Sequence, residues 1–236
     1  DNKRYILNKK NRNKNILVVV SHTDDETIGM GGTIANHINN GDRVFALSMT
    51  DGVGSRGVKN NTEVNQRAIA ANKASDILGF EWLKGGNFLD NEMDKGSLIE
   101  VVKFIENAKN ISKPDIVYTH SSSDLNIDHR VVSQAVLTAF RPQPNERCKE
   151  LRVFEVPSAT DYGHKSITDY FSPNLYVDIA NTWNKKLLAL KEYTIEMRDY
   201  PHSRSFKGIE NLSKLRGNQV GLYQAEAFEV IRKIQQ

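Results

Sequence analysis

Six consecutive residues, Ser21-His22-Thr23-Asp24-Asp25-Glu26, place one histidine and three acids in a single short stretch. A histidine nitrogen with aspartate oxygens is a donor set suited to zinc. Adjacent side chains leave the backbone in different directions, so Asp24 and Asp25 have different jobs. If His22 and Asp25 both ligate, Asp24 sits beside the metal unligated, placed to act as a base. The same acids would equally cap and complement the N-terminus of a following helix, a reading that leaves His22 unexplained. A hydrolytic zinc site needs a third protein ligand and an open position. The second cluster, Asp124-Leu125-Asn126-Ile127-Asp128-His129-Arg130, offers His129 for that purpose. Its own plain alternative is a helix start, with Asp128 as N-cap and His129 bonded to its neighbours. Gly29, Gly31 and Gly32 miss the dinucleotide fingerprint and suit close packing of helix on sheet.

Both clusters follow short β-branched runs. Strands are expected at 15–20, 43–49, 114–120, 151–156 and 174–179, and helices at 27–39, 62–78, 97–110 and 129–140. Beyond Thr182 the chain reads as mostly helical, with a break near 199–205. Strands alternating with helices imply an α/β fold: a single-domain Rossmann-like sandwich with a largely parallel sheet and helices on both faces. Ligands in such sheets bind beyond the carboxyl ends of the strands, where both clusters fall.

The 236 residues are 39% hydrophobic and 26% charged, a composition that excludes collagen, coiled coil and wholesale disorder. One cysteine, Cys148, excludes an intrachain disulfide framework or a cysteine-rich zinc site. No apolar run is long enough for a transmembrane helix, and no apolar signal core follows Asp1, so a cytoplasmic location without membrane insertion is the expectation. Of the 32 Lys+Arg and 29 Asp+Glu, six basic residues and Asp1 fall in residues 1–14, leaving 26 − 28 = −2 for the rest. Residues 1–14 therefore read as a basic arm and 15–236 as the domain. A basic arm without a basic face argues against nucleic acid as a partner.

The stretch SHTDDE followed by TIGMGGTIA resembles the PHPDDE signature of the LmbE-like (PIG-L) de-N-acetylases, and IDHRVV resembles that family's HPDH-type second motif. LSMTDGVGS and DILGF extend the similarity over roughly residues 15–140. The resemblance implies zinc-dependent hydrolysis of an acetamido group on a small-molecule sugar or sugar conjugate, releasing acetate and a free amine. It implies His22, Asp25 and His129 as metal ligands and Asp24 as general base, the metal lowering the pKa of water to about 7. A nucleotide sugar or polysaccharide precursor is the substrate it favours; it says nothing of oligomeric state.

The chain departs from the family pattern at Ser21 and Thr23, which replace prolines, and at Asn126, which replaces a histidine paired with the aspartate matching Asp128. An amide donates a hydrogen bond but transfers no proton, so the acid role is open. His202, in Tyr200-Pro201-His202-Ser203-Arg204, is the candidate for it. His120 and Arg56 are candidate substrate contacts, against the alternatives of a packed strand-end histidine and a solvated loop arginine. Arg67 is present, but Ala70 stands where the family often has its glutamate partner. Glu226 matches the family's tail, against a plain surface helix, and His37 and His164 are expected to be structural or exposed. Two rival readings are a non-catalytic metal- or sugar-binding module and a mononuclear non-haem iron enzyme, which shares a two-histidine, one-carboxylate donor set.

Overall fold

The computed structural model describes residues 13–50 and 61–235. The basic arm therefore lies almost wholly outside the described residues. Strand β1 (Asn15–Val20) is apolar throughout because both its faces are covered: Ile16 to Val20 are fully buried. Its alternating side chains feed two cores. Ile16, Val18 and Val20 pack with α1 (Asp25–Asn39), α2 (Asn61–Leu78) and α5 (Trp183–Glu192). Leu17 and Val19 pack with α3 (Leu98–Ser112) and α4 (Ile127–Ala139) on the opposite face.

The remaining strands are β2 (Arg43–Ser48), β3 (Glu81–Trp82), β4 (Ile116–His120), β5 (Glu150–Phe154), β6 (Leu175–Asp178) and β7 (Ala225–Lys233). Among the described residues they form one sheet in the order β3-β2-β1-β4-β5-β7-β6. The five strands from β3 to β5 run parallel, and β7 runs antiparallel to both β5 and β6. Strand order reverses at β1, with β2 on one side and β4 on the other. The two acidic clusters follow the carboxyl ends of β1 and β4, which are neighbours in the sheet.

The expectation of a mostly helical C-terminus is corrected here. Helix α6 (Phe206–Asn218) ends and β7 inserts between β5 and β6. Glu226, Glu229, Arg232 and Lys233 give the segment a helix-forming composition, but pairing on both edges overrides local preference. Glu226 is accordingly a buried strand residue, not part of a surface helix.

Glycines let α1 lie close to the sheet, as the sequence predicts. A Cβ on Gly29 would stand 2.4 Å from the Phe154 ring, and one on Gly32 2.7 Å from Ile179. Between them Met30 leaves helical geometry, at φ −146° and ψ 23°. The interrupted ladder is satisfied from outside: Glu226 accepts from the Gly32 and Thr33 amides at 2.9 and 2.7 Å. Lys186 Nζ donates to the Ile28 carbonyl at 2.8 Å and to Glu226 at 2.7 Å.

Candidate metal centre

His22 stands just past β1, Asp25 opens α1, and His129 lies in the first turn of α4. The topology therefore brings the two clusters together. The ligand-capable atoms of these three buried residues all lie within 4.8 Å of one another. Asp25 Oδ2 is 3.2 Å from His22 Nδ1 and 3.4 Å from His129 Nε2. Asp25 Oδ1 and His129 Nε2 are buried with no hydrogen-bond partner. Orphaned donors and acceptors of this kind are costly unless something else satisfies them. Two imidazole nitrogens and a carboxylate with unspent lone pairs fit a divalent cation such as zinc.

Each histidine is held from behind. His129 Nδ1 meets Asp124 Oδ2 at 2.7 Å, and Asp124 Oδ1 accepts from the Thr160 hydroxyl at 2.5 Å. His22 Nε2 is 3.0 Å from Asp90 Oδ1 and 3.3 Å from Asp128 Oδ2. Asp128 in turn accepts the Asn91 and Met93 amides at 2.7 and 3.1 Å. Carboxylates in these positions fix the orientation of metal-binding imidazoles. Burial by itself would lower the His22 pKa, but hydrogen bonds to Asp128, Asp25 and Asp90 hold it well above its ordinary value. Burial likewise opposes the rise of His129 to about 9, which Asp25 and Asp124 impose. Burial would raise Asp25, yet its charged histidine neighbours hold it well below the carboxylate range.

Asp24 is fully buried and points elsewhere. Its backbone sits at φ 146°, a conformation costing about 1–3 kcal/mol for a side-chain-bearing residue. Arg67 Nη2 donates to Asp24 Oδ1 at 3.1 Å, and Arg204 Nη1 to Oδ2 at 3.4 Å. Burial raises the Asp24 pKa, and Asp25 adds to the rise, while the two guanidiniums restrain it. Arg67 also donates to Thr23 through its hydroxyl and carbonyl, and to Glu196 at 2.7 Å. Arg67 therefore has an acidic partner after all: with Ala70 in the next helical turn, Glu196 supplies the carboxylate from beyond α5. Glu26, raised to about 7 by burial, accepts from the Asp24 amide and from Tyr193. It is Glu26, not Asp24, that serves the local backbone.

Asn126 is the N-cap of α4, accepting from the Asp128 amide at 2.9 Å and donating to Asn91 at 3.3 Å. The capping role considered for Asp128 belongs to Asn126. His120 is fully buried, accepts from the Ser21 amide at 2.8 Å, and stacks on His129 at 3.8 Å. That burial leaves it no surface for substrate, so the packed alternative holds. His202 accepts the Arg204 amide on Nδ1 and edges against Tyr162; it is Arg204 that its segment delivers to Asp24. Arg56 lies outside the described residues. His37 bridges Asp42 and Tyr118, and His164 is exposed, as expected. Asp90 and Glu196, missed in sequence, belong to no local pattern, while Arg204 lies in the segment singled out for His202 without a role of its own; each meets the site from a separate segment.

A profile of the family described as GlcNAc-PI de-N-acetylase (PIG-L) matches residues 17–140. The Escherichia coli K12 protein described as uncharacterized deacetylase YaiS is 27% identical over 195 residues, 80% of this chain and 95% of its own. The diacetylchitobiose deacetylase of Thermococcus kodakarensis is 28% identical over 190 residues, 76% of this chain and 69% of its own. The structure of the Pyrococcus horikoshii N,N′-diacetylchitobiose deacetylase with its inhibitor matches at TM-score 0.72 and 22% identity. It covers 93% of this chain and 84% of that one. That structural likeness establishes the shared α/β fold. No helix among the described residues is long and apolar enough to cross a membrane.

Proposed function

Because the chain belongs to the PIG-L family of de-N-acetylases, we propose that it is a zinc-dependent N-deacetylase. Its substrate class is an N-acetylated sugar or sugar conjugate, converted to acetate and a free amine. The observation that carries this reading is a buried three-residue donor set with two orphaned atoms, flanked by a carboxylate that is not part of it. A binding-only metal needs no such neighbour. The diacetylchitobiose deacetylase relative supports a sugar, and a nucleotide sugar or polysaccharide precursor falls in the same class.

His22, Asp25 and His129 would hold the ion. Zinc, when bound, supplies Lewis acidity that makes water a nucleophile near neutral pH and polarises a carbonyl. Asp24 accepts the proton of the attacking water, and Arg67 and Arg204, which donate to its two oxygens, restrain the rise that burial imposes on its pKa. The new C–O bond forms as the carbonyl π pair moves onto oxygen. When the C–N bond breaks, its electron pair and a proton go to the departing nitrogen. Protonated Asp24 can return that proton. His202 is the second catalytic group we propose: with Nδ1 accepting the Arg204 amide, Nε2–H is the ring's donor, placed to hydrogen-bond the departing nitrogen while Asp24 returns the proton. Asp128 acts by orienting His22, and Asn126 by capping α4. Arg56 is proposed to contact the substrate.

Metal content and acetate release test this together. Untagged protein should carry near-stoichiometric zinc that His129→Ala loses, and should release acetate from N,N′-diacetylchitobiose or N-acetylglucosamine. Folded protein that takes up no zinc when supplied with it would overturn the proposal. Bound iron with oxygen consumption would point to the oxygenase chemistry instead.

A further inference from the structure

The two guanidiniums on Asp24 are tied down differently. Arg67 has a side chain 8% exposed and is spent on Thr23, Asp24 and Glu196. Arg204 is 19% exposed and reaches Asp24 Oδ2 at 3.4 Å, the outer limit of a hydrogen bond. It is steadied from behind, its Nε donating to Ser158 Oγ at 3.0 Å. Its own amide donates to His202, and its carbonyl accepts from the Arg198 amide. The head is thus aimed at the candidate base but loosely engaged with it.

Deacetylation places a negative charge on the former carbonyl oxygen, and a donor held near that oxygen is worth a large part of the rate. Asn126 commits its carbonyl to the Asp128 amide and one of its two N–H groups to Asn91, and carries no charge to match an oxyanion, while His120 is buried beneath His129. We infer that Arg204 stabilises the oxyanion of the tetrahedral species, a role that rests on the deacetylase reading above.

Charge bookkeeping makes the role coherent. At rest the guanidinium donates to Asp24 Oδ2. As water adds, its proton passes to Asp24, the C–O bond forms, and the π pair settles on the carbonyl oxygen. Negative charge leaves Asp24 and appears on that oxygen, while the guanidinium neither gains nor loses a proton. It shifts its hydrogen bonds from one oxygen to the other. On collapse the C=O re-forms, the C–N bond breaks, and nitrogen takes the pair with a proton.

The test compares wild type, Arg204→Met, Arg204→Lys, Asp24→Asn and the Asp24→Asn/Arg204→Met double variant, all zinc-loaded. Kinetics use N,N′-diacetylchitobiose; calorimetry uses a methylphosphonamidate of glucosamine, a tetrahedral anion, beside neutral N-acetylglucosamine. Arg204→Met should lower kcat by about 10²–10³ with KM within about threefold. Arg204→Lys, which keeps the charge, should recover part of that loss. The tetrahedral anion should bind about 100-fold more weakly to Arg204→Met, the neutral sugar only a few-fold more weakly. The loss of anion binding should persist in the Asp24→Asn background. Its disappearance there would mean that Arg204 acts only by holding Asp24, and would overturn the inference. So would an unchanged kcat in Arg204→Met. Failure of the wild type to release acetate or bind either ligand would overturn the deacetylase reading itself, and is seen without any variant.

Discussion

His129 shows how little of a metal ligand's work lies in the ligand itself. Its Nδ1 is gripped by Asp124, which is gripped by Thr160, so that Nε2 faces Asp25 at a fixed angle. Asp124→Ala should weaken zinc binding by about 10–100-fold in competition with a chelator, while leaving the three ligands in place. Asp24→Asn should do the converse: zinc retained by mass spectrometry, with acetate release lowered by about 10²–10⁴-fold. Cys148 offers a pH-dependent check away from the site. Burial lifts its thiol to about 11, and Sγ lies 3.4 Å from the Glu150 carbonyl. A raised thiol pKa favours the fold while the group is neutral, so this contribution is present below about pH 9 and is lost as pH rises through about 11. In the native protein Cys148 should react with a disulfide reagent at pH 8 at least about 100-fold more slowly than in denaturant. The residues legible in the sequence were those grouped within a few positions, His22 to Asp25 and Asp124 to His129. Arg67 with Glu196, and Arg204 with Asp24, were not, because their partners lie 129 and 180 positions away.

Helix α1 carries the acidic loop, and its placement depends on two devices of different legibility. The glycines announced close packing, and the clearances at Gly29 and Gly32 bear that out. Gly32→Ala should cost about 1–3 kcal/mol in denaturant unfolding, since Ile179 would have to move. The clamp on the Met30 kink could not be read in advance. It needs Glu226 from β7 and Lys186 from α5, and Glu226 looked like part of an exposed helix. Both side chains are 3% exposed. Glu226→Ala would strand a buried ammonium and two amides, so a loss of about 3–5 kcal/mol is expected. Zinc stoichiometry measured on the same variant would show whether the kink also sets the angle at which Asp25 enters the site. The strands β1, β2 and β4 were plain in the sequence because parallel, doubly covered strands are apolar throughout. β7 was hidden because its charges Glu226, Glu229 and Arg232 fall three positions apart, as they do on a solvated helix.

At the scale of the whole molecule, the alternating pattern was enough to place the acidic clusters at the carboxyl ends of strands, and the sheet order, with β1 beside β4, explains why they meet. If the cation joins β1, α1 and α4, loading it should stabilise the whole fold. Zinc at about 100 times its Kd adds about 2.7 kcal/mol. For a chain of this size that is a rise in Tm of roughly 5–10 °C, readable by calorimetry and absent in His129→Ala. The insertion of β7 between β5 and β6 has a consequence for biosynthesis. Residues 179–224 separate β6 from β7, so β6 is made well before the strand that joins it to the sheet. At about 5–20 residues per second, the nascent chain spends roughly 2–9 s with the edges of β5 and β6 both open. Slow codons between Ile179 and Gln224 would lengthen that exposure on the ribosome.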